Sequence, residues 1–378
     1  MRIAFICTEK LPSPAVKGGA IQLMIDGIAP FLAAKHDLTI FSITDPSLPT
    51  YERRHGIEYV RVPNERYEHD VANELSKRTF DVVHVFNRPA NVLQYKQVAH
   101  ASRFVTSLHN DMFSPLKMKR DVAERVLAEV DLITTVSAYM KRTVTNRYDV
   151  PDDLVQVVYS GVDITPYTPP WTEEGKQVRA DMRQRFRLEG DDVILFIGRL
   201  SRAKGVHVLI ESMNDVLAYH PRAKLVIVGG KWFSDNRPNG YVHFLHKLAH
   251  PYKDRILFTN YIPSEHIPRI LTMGDLFVCS SQWHEPLARV HYEAMAAGVP
   301  IITTNRGGNG EVIEQDVNGI VIDDYSSPKA FANAINELLC NKEKALALAR
   351  EGRKRAETTF SFANTAEQLE RLYVTICQ

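Results

Sequence analysis

Short runs of β-branched and aliphatic residues alternate with longer helical stretches from one end of this chain to the other, and that alternation limits the fold more than any other feature. In the first half the runs are Arg2–Cys7, Leu38–Ile43, Tyr59–Val62, Val82–Phe86, Phe104–Leu108, Leu132–Val136 and Val155–Tyr159. In the second half they are Val193–Ile197, Lys224–Val228, Ile256–Phe258, Leu276–Cys279, Ile301–Thr303 and Gly319–Val321. Continuous apolar runs of this length, separated by helices, predict parallel strands buried on both faces. Right-handed crossovers then give doubly wound α/β domains.

At 378 residues, the chain is long enough for two domains at roughly 150 residues each. The break is expected at Ile164–Trp171, where prolines 166, 169 and 170 preclude a continuous helix or strand. The expected division is an N-terminal domain over 1–165, a linker and first helix over 166–188, and a C-terminal domain over 189–359. Residues 360–378 are expected to form a final helix, and Ala366, Leu369, Leu372 and Tyr373 fit one apolar face of it.

Forty-six basic residues balance 45 acidic ones, which disfavours a dedicated nucleic-acid binder. The four cysteines, Cys7, Cys279, Cys340 and Cys377, are scattered and form no C-x-x-C pair. Neither a disulfide framework nor a structural zinc site is expected, and a reducing, cytoplasmic setting is. No apolar run approaches the roughly 20 residues of a bilayer span, so any membrane contact is expected to be peripheral. The basic cluster Lys117, Lys119, Arg120 and Arg125 fits either an anionic surface or a solvated face.

Ligands of open α/β sheets lie beyond the carboxyl ends of the strands, so the residues just after each run carry the candidate chemistry. Gly198, Arg199 and Lys204 follow Val193–Ile197, with Gly205 opening a helix. Two cations beside a helix N-terminus suit a diphosphate, although a solvated basic loop has the same look. In Trp283–Gly298, Pro286 fits the first turn of a helix that Gly298 ends. Glu285 is then expected at the helix mouth and Glu293 about two turns up, roughly 10 Å along the axis. Such a pair could accept sugar hydroxyls, with the N–H groups of Leu287, Ala288 and Arg289 facing phosphate or sugar. The residues alone fit equally well a dipole-favoured glutamate and a solvated one. Lys17-Gly18-Gly19-Ala20 follows the first strand and would let backbone approach a ligand, or simply form a loop. It lacks the G-x-G-x-x-G dinucleotide fingerprint, which disfavours a nicotinamide dehydrogenase. His109 follows Phe104–Leu108 and could bond a sugar or share a proton, or have no role. Ser137 fits an N-cap, and Gly307–Glu311 fits either a ligand-facing loop or a turn.

In order and spacing, these residues resemble glycosyltransferase family 4, the retaining family of the GT-B fold, over essentially the whole chain. Glu285 and Glu293 match its Glu-x7-Glu signature, and Gly198-Arg199-Leu200 with Lys204-Gly205 its Gly-Arg-Leu-x3-Lys-Gly signature. Ser160-Gly161-Val162-Asp163, Gly18-Gly19 and His109 match further elements. The resemblance implies two Rossmann-like, doubly wound parallel-sheet domains facing across a cleft, the last helix crossing back onto the first. It implies that Arg199 and Lys204 neutralise a departing diphosphate, that Glu285 binds sugar hydroxyls and Glu293 the ribose, and that Gly18 and Gly19 lie against phosphate. The implied activity is metal-independent hexosyl transfer, without a cofactor, from a nucleoside-diphosphate sugar, uridine-linked by family habit. The acceptor would be a hydroxyl of a glycan, a lipid-linked or a protein acceptor. Leu287-Ala288 replaces the family's usual Phe-Gly, and Arg289 a common apolar residue. Lys231–His250 and Trp283-His284 are similar to spore-coat-associated bacterial members, which implies a cytoplasmic, membrane-peripheral or spore-coat location. A GT-B epimerase or phosphorylase, and a non-catalytic coat protein on the same scaffold, remain as alternatives.

Overall fold

The computed structural model describes residues 1–230 and 239–378, and the elements below are those of the described residues. The chain divides into two units, Met1–Gly161 with Ser361–Gln378, and Val162–Phe360. The first contains β1 (Arg2–Ile6), α1 (Ala20–Ala33), β2 (Asp37–Ile43), β3 (Tyr51–Arg54), β4 (Ile57–Val62), α2 (Tyr67–Ser76), β5 (Val82–Phe86), α3 (Val92–Val98), β6 (Arg103–Leu108), α4 (Arg120–Glu129), β7 (Leu132–Thr135), α5 (Ala138–Thr145) and β8 (Val155–Val157). The second contains α6 (Glu173–Phe186), β9 (Asp192–Ile197), α7 (Val206–Tyr219), β10 (Ala223–Val228), α8 (Gly240–Ala249), β11 (Ile256–Asn260), α9 (Ile267–Thr272), β12 (Leu276–Cys279), α10 (Val290–Ala297), β13 (Ile301–Thr304), β14 (Gly319–Ile322), α11 (Pro328–Cys340) and α12 (Lys342–Thr358). The last helix, α13 (Phe362–Cys377), returns to the first unit.

The first sheet runs β3-β4-β2-β1-β5-β6-β7-β8 and the second β11-β10-β9-β12-β13-β14. Every pairing is parallel except that of β3 with β4. All thirteen apolar runs became strands. The strand without a sequence signal, β3, is a mostly exposed edge held by its pairing with β4. Strand order reverses direction beside β1 and β5 in the first sheet, and beside β9 and β12 in the second. Those are the switch points at which doubly wound folds bind ligands.

Each unit has its own apolar core. In the first, Ile3, Phe5, Ile25, Ile28, Val82, Val105, Leu369 and Tyr373 pack together. Tyr373 also reaches into the sheet, where its hydroxyl meets His84 Nδ1 at 2.5 Å, while His84 Nε2 meets Ser107 Oγ. Burial pushes the His84 pKa down to about 3, so this ring is neutral in the fold. The second core joins Ile194, Leu209, Met213, Leu225, Ile227, Phe331 and Ile335. Helix α6, which the sequence placed with the linker, is tied into this unit: Arg179 and Arg183 bind the two oxygens of Asp275 at 2.6 and 2.7 Å. Thr172 caps it, accepting from Gly175 N at 3.0 Å.

Candidate functional site

At the switch point of the second sheet, the loop after β9 meets the loop after β12. Gln282 N donates to Ala203 O at 2.8 Å, and Ser280 Oγ donates to Lys204 O at 3.0 Å. Gly205 sits at φ 69°, and a β-carbon there would run into the carbonyl oxygen of Ser280. The glycine after Lys204 therefore serves loop packing as well as the start of α7. That helix has no side-chain N-cap, so the positive end of its dipole points towards the switch point.

These loops carry Lys204 and Glu285 into direct contact as an ion pair, with side-chain exposures of 18% and 6%. Ser281 Oγ adds a 2.8 Å hydrogen bond to the same Glu285 oxygen. Burial acts to raise the Glu285 pKa. The Lys204 charge, with hydrogen bonds from Lys204, Trp283 and Ser281, outweighs it, so the carboxyl titrates below the usual glutamate range. The pair holds a cation and a charged acceptor side by side. Gly198 and the half-buried Arg199 lie in the same loop, at the exit of β9.

One local expectation fails. The helix after Glu285 starts at Val290, not Pro286. Glu285 lies in a parallel bridge with Gly307, whose neighbour Gly308 donates to Glu285 O at 2.8 Å. Gly307 has φ 65°, and a β-carbon on it would collide with Glu285 O. Ala288 N donates at 3.1 Å to Asn309 Oδ1, so this amide is already engaged. Glu293 consequently falls in the first turn of α10, where Arg289 Nη2 approaches it at 3.5 Å. Leu287 and Ala288 are half-buried in the intervening loop, and Ala288 keeps an ordinary negative-φ backbone. Its β-carbon imposes no backbone strain.

In the first unit, Gly18 (φ 72°) and Gly19 (φ 103°) lead into α1, whose N-terminus has no side-chain cap. His109 is half-buried just past β6, its ring centre 6.1 Å from that of Phe86. The backbone N–H groups of His109 and Asn110 both donate to Asn87 Oδ1 at 3.1 Å. Asn87 is buried at φ 54°, a left-handed conformation that few non-glycine residues adopt. Beside it, Arg88 Nε and Nη2 grip the two Glu9 oxygens at 2.7 and 2.6 Å, across the β1/β5 switch point. The sequence reading missed Glu9, Asn87 and Arg88, and took Asn309 only as part of a ligand-facing loop or a turn. Three of these follow strands at a switch point, which is the signal that could have found them.

Comparison with known proteins places this geometry. Residues 178–355 match the family described as "Glycosyl transferases group 1", and residues 21–165 match "Glycosyltransferase Family 4". YtcC of Bacillus subtilis (strain 168), named as a glycosyltransferase, is 52% identical over 376 residues, covering 100% of this chain and 92% of its own. Spore coat protein SA of the same organism is 47% identical over 373 residues, covering 99% of each chain. Among solved structures, Anabaena HepE in complex with UDP has a TM-score of 0.80 at 21% identity, covering 99% of this chain and 100% of its own.

Proposed function

The chain belongs to glycosyltransferase family 4 and has the GT-B fold of two parallel-sheet α/β domains, and from that premise we propose that it transfers a hexosyl group, with retention and without a metal ion, from a nucleoside-diphosphate sugar to an acceptor hydroxyl. The observation that carries this reading is the Lys204–Glu285 pair over the β9/β12 switch point. A leaving diphosphate needs positive charge fixed in place before the reaction. Lys204, Arg199 and the N-terminus of α7 supply it here. Glu285 then accepts hydroxyls of the hexose, and Glu293, further along, those of the ribose.

In the proposed step the bond between the anomeric carbon and the diphosphate oxygen breaks. The acceptor oxygen bonds to that carbon from the same face, and its proton passes to the departing phosphate. Gly18 and Gly19 present backbone to phosphate, and His109 hydrogen-bonds the sugar. A uridine donor is the favoured choice, because HepE is known with UDP and with UDP-glucose. The similarity to spore coat protein SA supports a role in spore-coat or envelope glycan synthesis. Among the described residues no helix is long and apolar enough to cross a membrane. We place any membrane contact at Leu116, 97% exposed and flanked by Lys117, Lys119 and Arg120.

The test is incubation with a panel of uridine and guanosine diphosphate sugars, with and without saccharide acceptors, and determination of the product anomer by NMR. Transfer with the donor's configuration kept supports the reading. An inverted product refutes retention, epimerisation of the donor alone makes the chain an epimerase, and binding without turnover makes it a non-catalytic scaffold.

A further inference from the structure

The segment Pro286-Leu-Ala-Arg289 has the makings of a helix: a proline suited to the first helical position, then residues of good helix propensity, leading directly into α10. It is not helical, because residues 307–309 hold it elsewhere. Gly307 pairs with Glu285, Gly308 N binds Glu285 O, and the fully buried side chain of Asn309 accepts from Ala288 N at 3.1 Å. Asn309 Nδ2 faces Cys279 Sγ at 3.8 Å, which ties the side chain to the end of β12. The other side of the same residue is held as well: Ala288 O is met by His291 Nδ1 at 2.8 Å, and His291 Nε2 meets Thr303 Oγ1 at 2.7 Å.

We propose that Asn309 is a positioning residue for the donor sugar: by holding the Ala288 amide it fixes where the Leu287-Ala288 loop beside Glu285 meets the hexose. This rests on the reading of Glu285 as the sugar-binding carboxylate. It assigns the loop's shape to a side chain more than twenty residues away in sequence. The diphosphate loop Gly198–Gly205 is held by Val228, Gly230 and residues 280 and 282, and its Lys204 pairs with Glu285. Asn309, which holds the Leu287-Ala288 side of the site, is therefore expected to act on the sugar more than on the nucleoside diphosphate.

The test compares wild type with Asn309→Leu, which keeps the branched shape but not the acceptor, and with Asn309→Ser as the milder change should the first fail to fold. Calorimetry measures binding of UDP-glucose against UDP, and of GDP-mannose against GDP. Loss of the peg is expected to weaken the bound sugar nucleotide about tenfold or more while the matching nucleoside diphosphate stays within about twofold, because a loop displaced by an ångström spoils hexose contacts first. Hydrogen exchange at the Ala288 amide should lose its protection in the same variants. Equal binding of sugar nucleotide by wild type and both folded variants overturns the inference and leaves the glycosyltransferase reading standing. If wild type binds none of the four probes, the sugar site itself is refuted, and this inference with it.

Discussion

Both units place an ion pair over the switch point of their sheet, yet the two pairs are built differently. Lys204–Glu285 in the second unit is nearly sealed from solvent, at 18% and 6% side-chain exposure. Arg88–Glu9 in the first keeps about a quarter of each side chain in water, and Lys10 shares the carboxylate at 3.3 Å. The fold supplies the same location twice, and burial decides what it becomes. A sealed pair is costly to break and releases a fixed cation only to a ligand that replaces its partner. A more open pair chiefly braces the loop that carries Asn87, whose side chain accepts from His109 N.

The largest expected effect follows from that contrast. Lys204→Met should leave Glu285 buried without its cation, at a cost of roughly 3 kcal/mol in stability, and lower turnover by about 10²-fold or more. Arg88→Met should cost about 1 kcal/mol or less. Paired denaturant melts of the two variants check this, and equal losses would erase the distinction between the units. Next in size is Gly307→Ala. A left-handed φ alone costs an alanine about 1 kcal/mol, and the collision with Glu285 O adds to it. Activity should fall about tenfold with the displaced loop. Gly18→Ala, with nothing within 4 Å of the added carbon, should show the φ strain alone in stability, and any further loss of turnover reads its approach to phosphate. Thermal melts of the two alanine variants, with turnover measured alongside, separate these cases.

Titration sharpens the comparison at smaller amplitude. His84 has its folded pKa depressed to about 3 from 6.5. The unfolded chain binds its proton first, so the stability it contributes is complete above about pH 6.5 and declines as pH falls towards 3, by up to ~1.4 kcal/mol per unit. Glu285 is also depressed, but from 4.5. Its contribution is intact above that pH and is lost only as pH falls below it. Melting temperature against pH should therefore flatten between pH 6.5 and 5 in His84→Gln, whereas Glu285→Gln should differ from wild type by a constant amount there and converge only below about 4.5. The smallest effect expected is none: EDTA should leave transfer unchanged, and metal-dependent rates would contradict the charge assignment.

The strands were legible because burial on both faces of a parallel sheet demands uninterrupted apolar residues, as in Val82–Phe86 and Leu276–Cys279. The edge strand β3 was not, since Tyr51–Arg54 owes its conformation to pairing with β4 and buries almost nothing. Within the site, Arg199, Lys204 and Glu285 could be picked out because each follows a strand that ends at the switch point. The start of α10 was misjudged because Pro286 carries a local helix signal that Gly307 and Gly308 override from a distance, by pairing with Glu285 and occupying its carbonyl. Glu9 and Arg88 lie 79 residues apart in sequence, and nothing local in either announces the other.

The account stands most directly on a crystal structure of the wild-type chain with a bound nucleoside-diphosphate sugar. It predicts the diphosphate at the β9/β12 switch point, touching Lys204 and Arg199, with hexose hydroxyls on Glu285. Phosphates bound away from both cations, with the Lys204–Glu285 pair left closed, would contradict it.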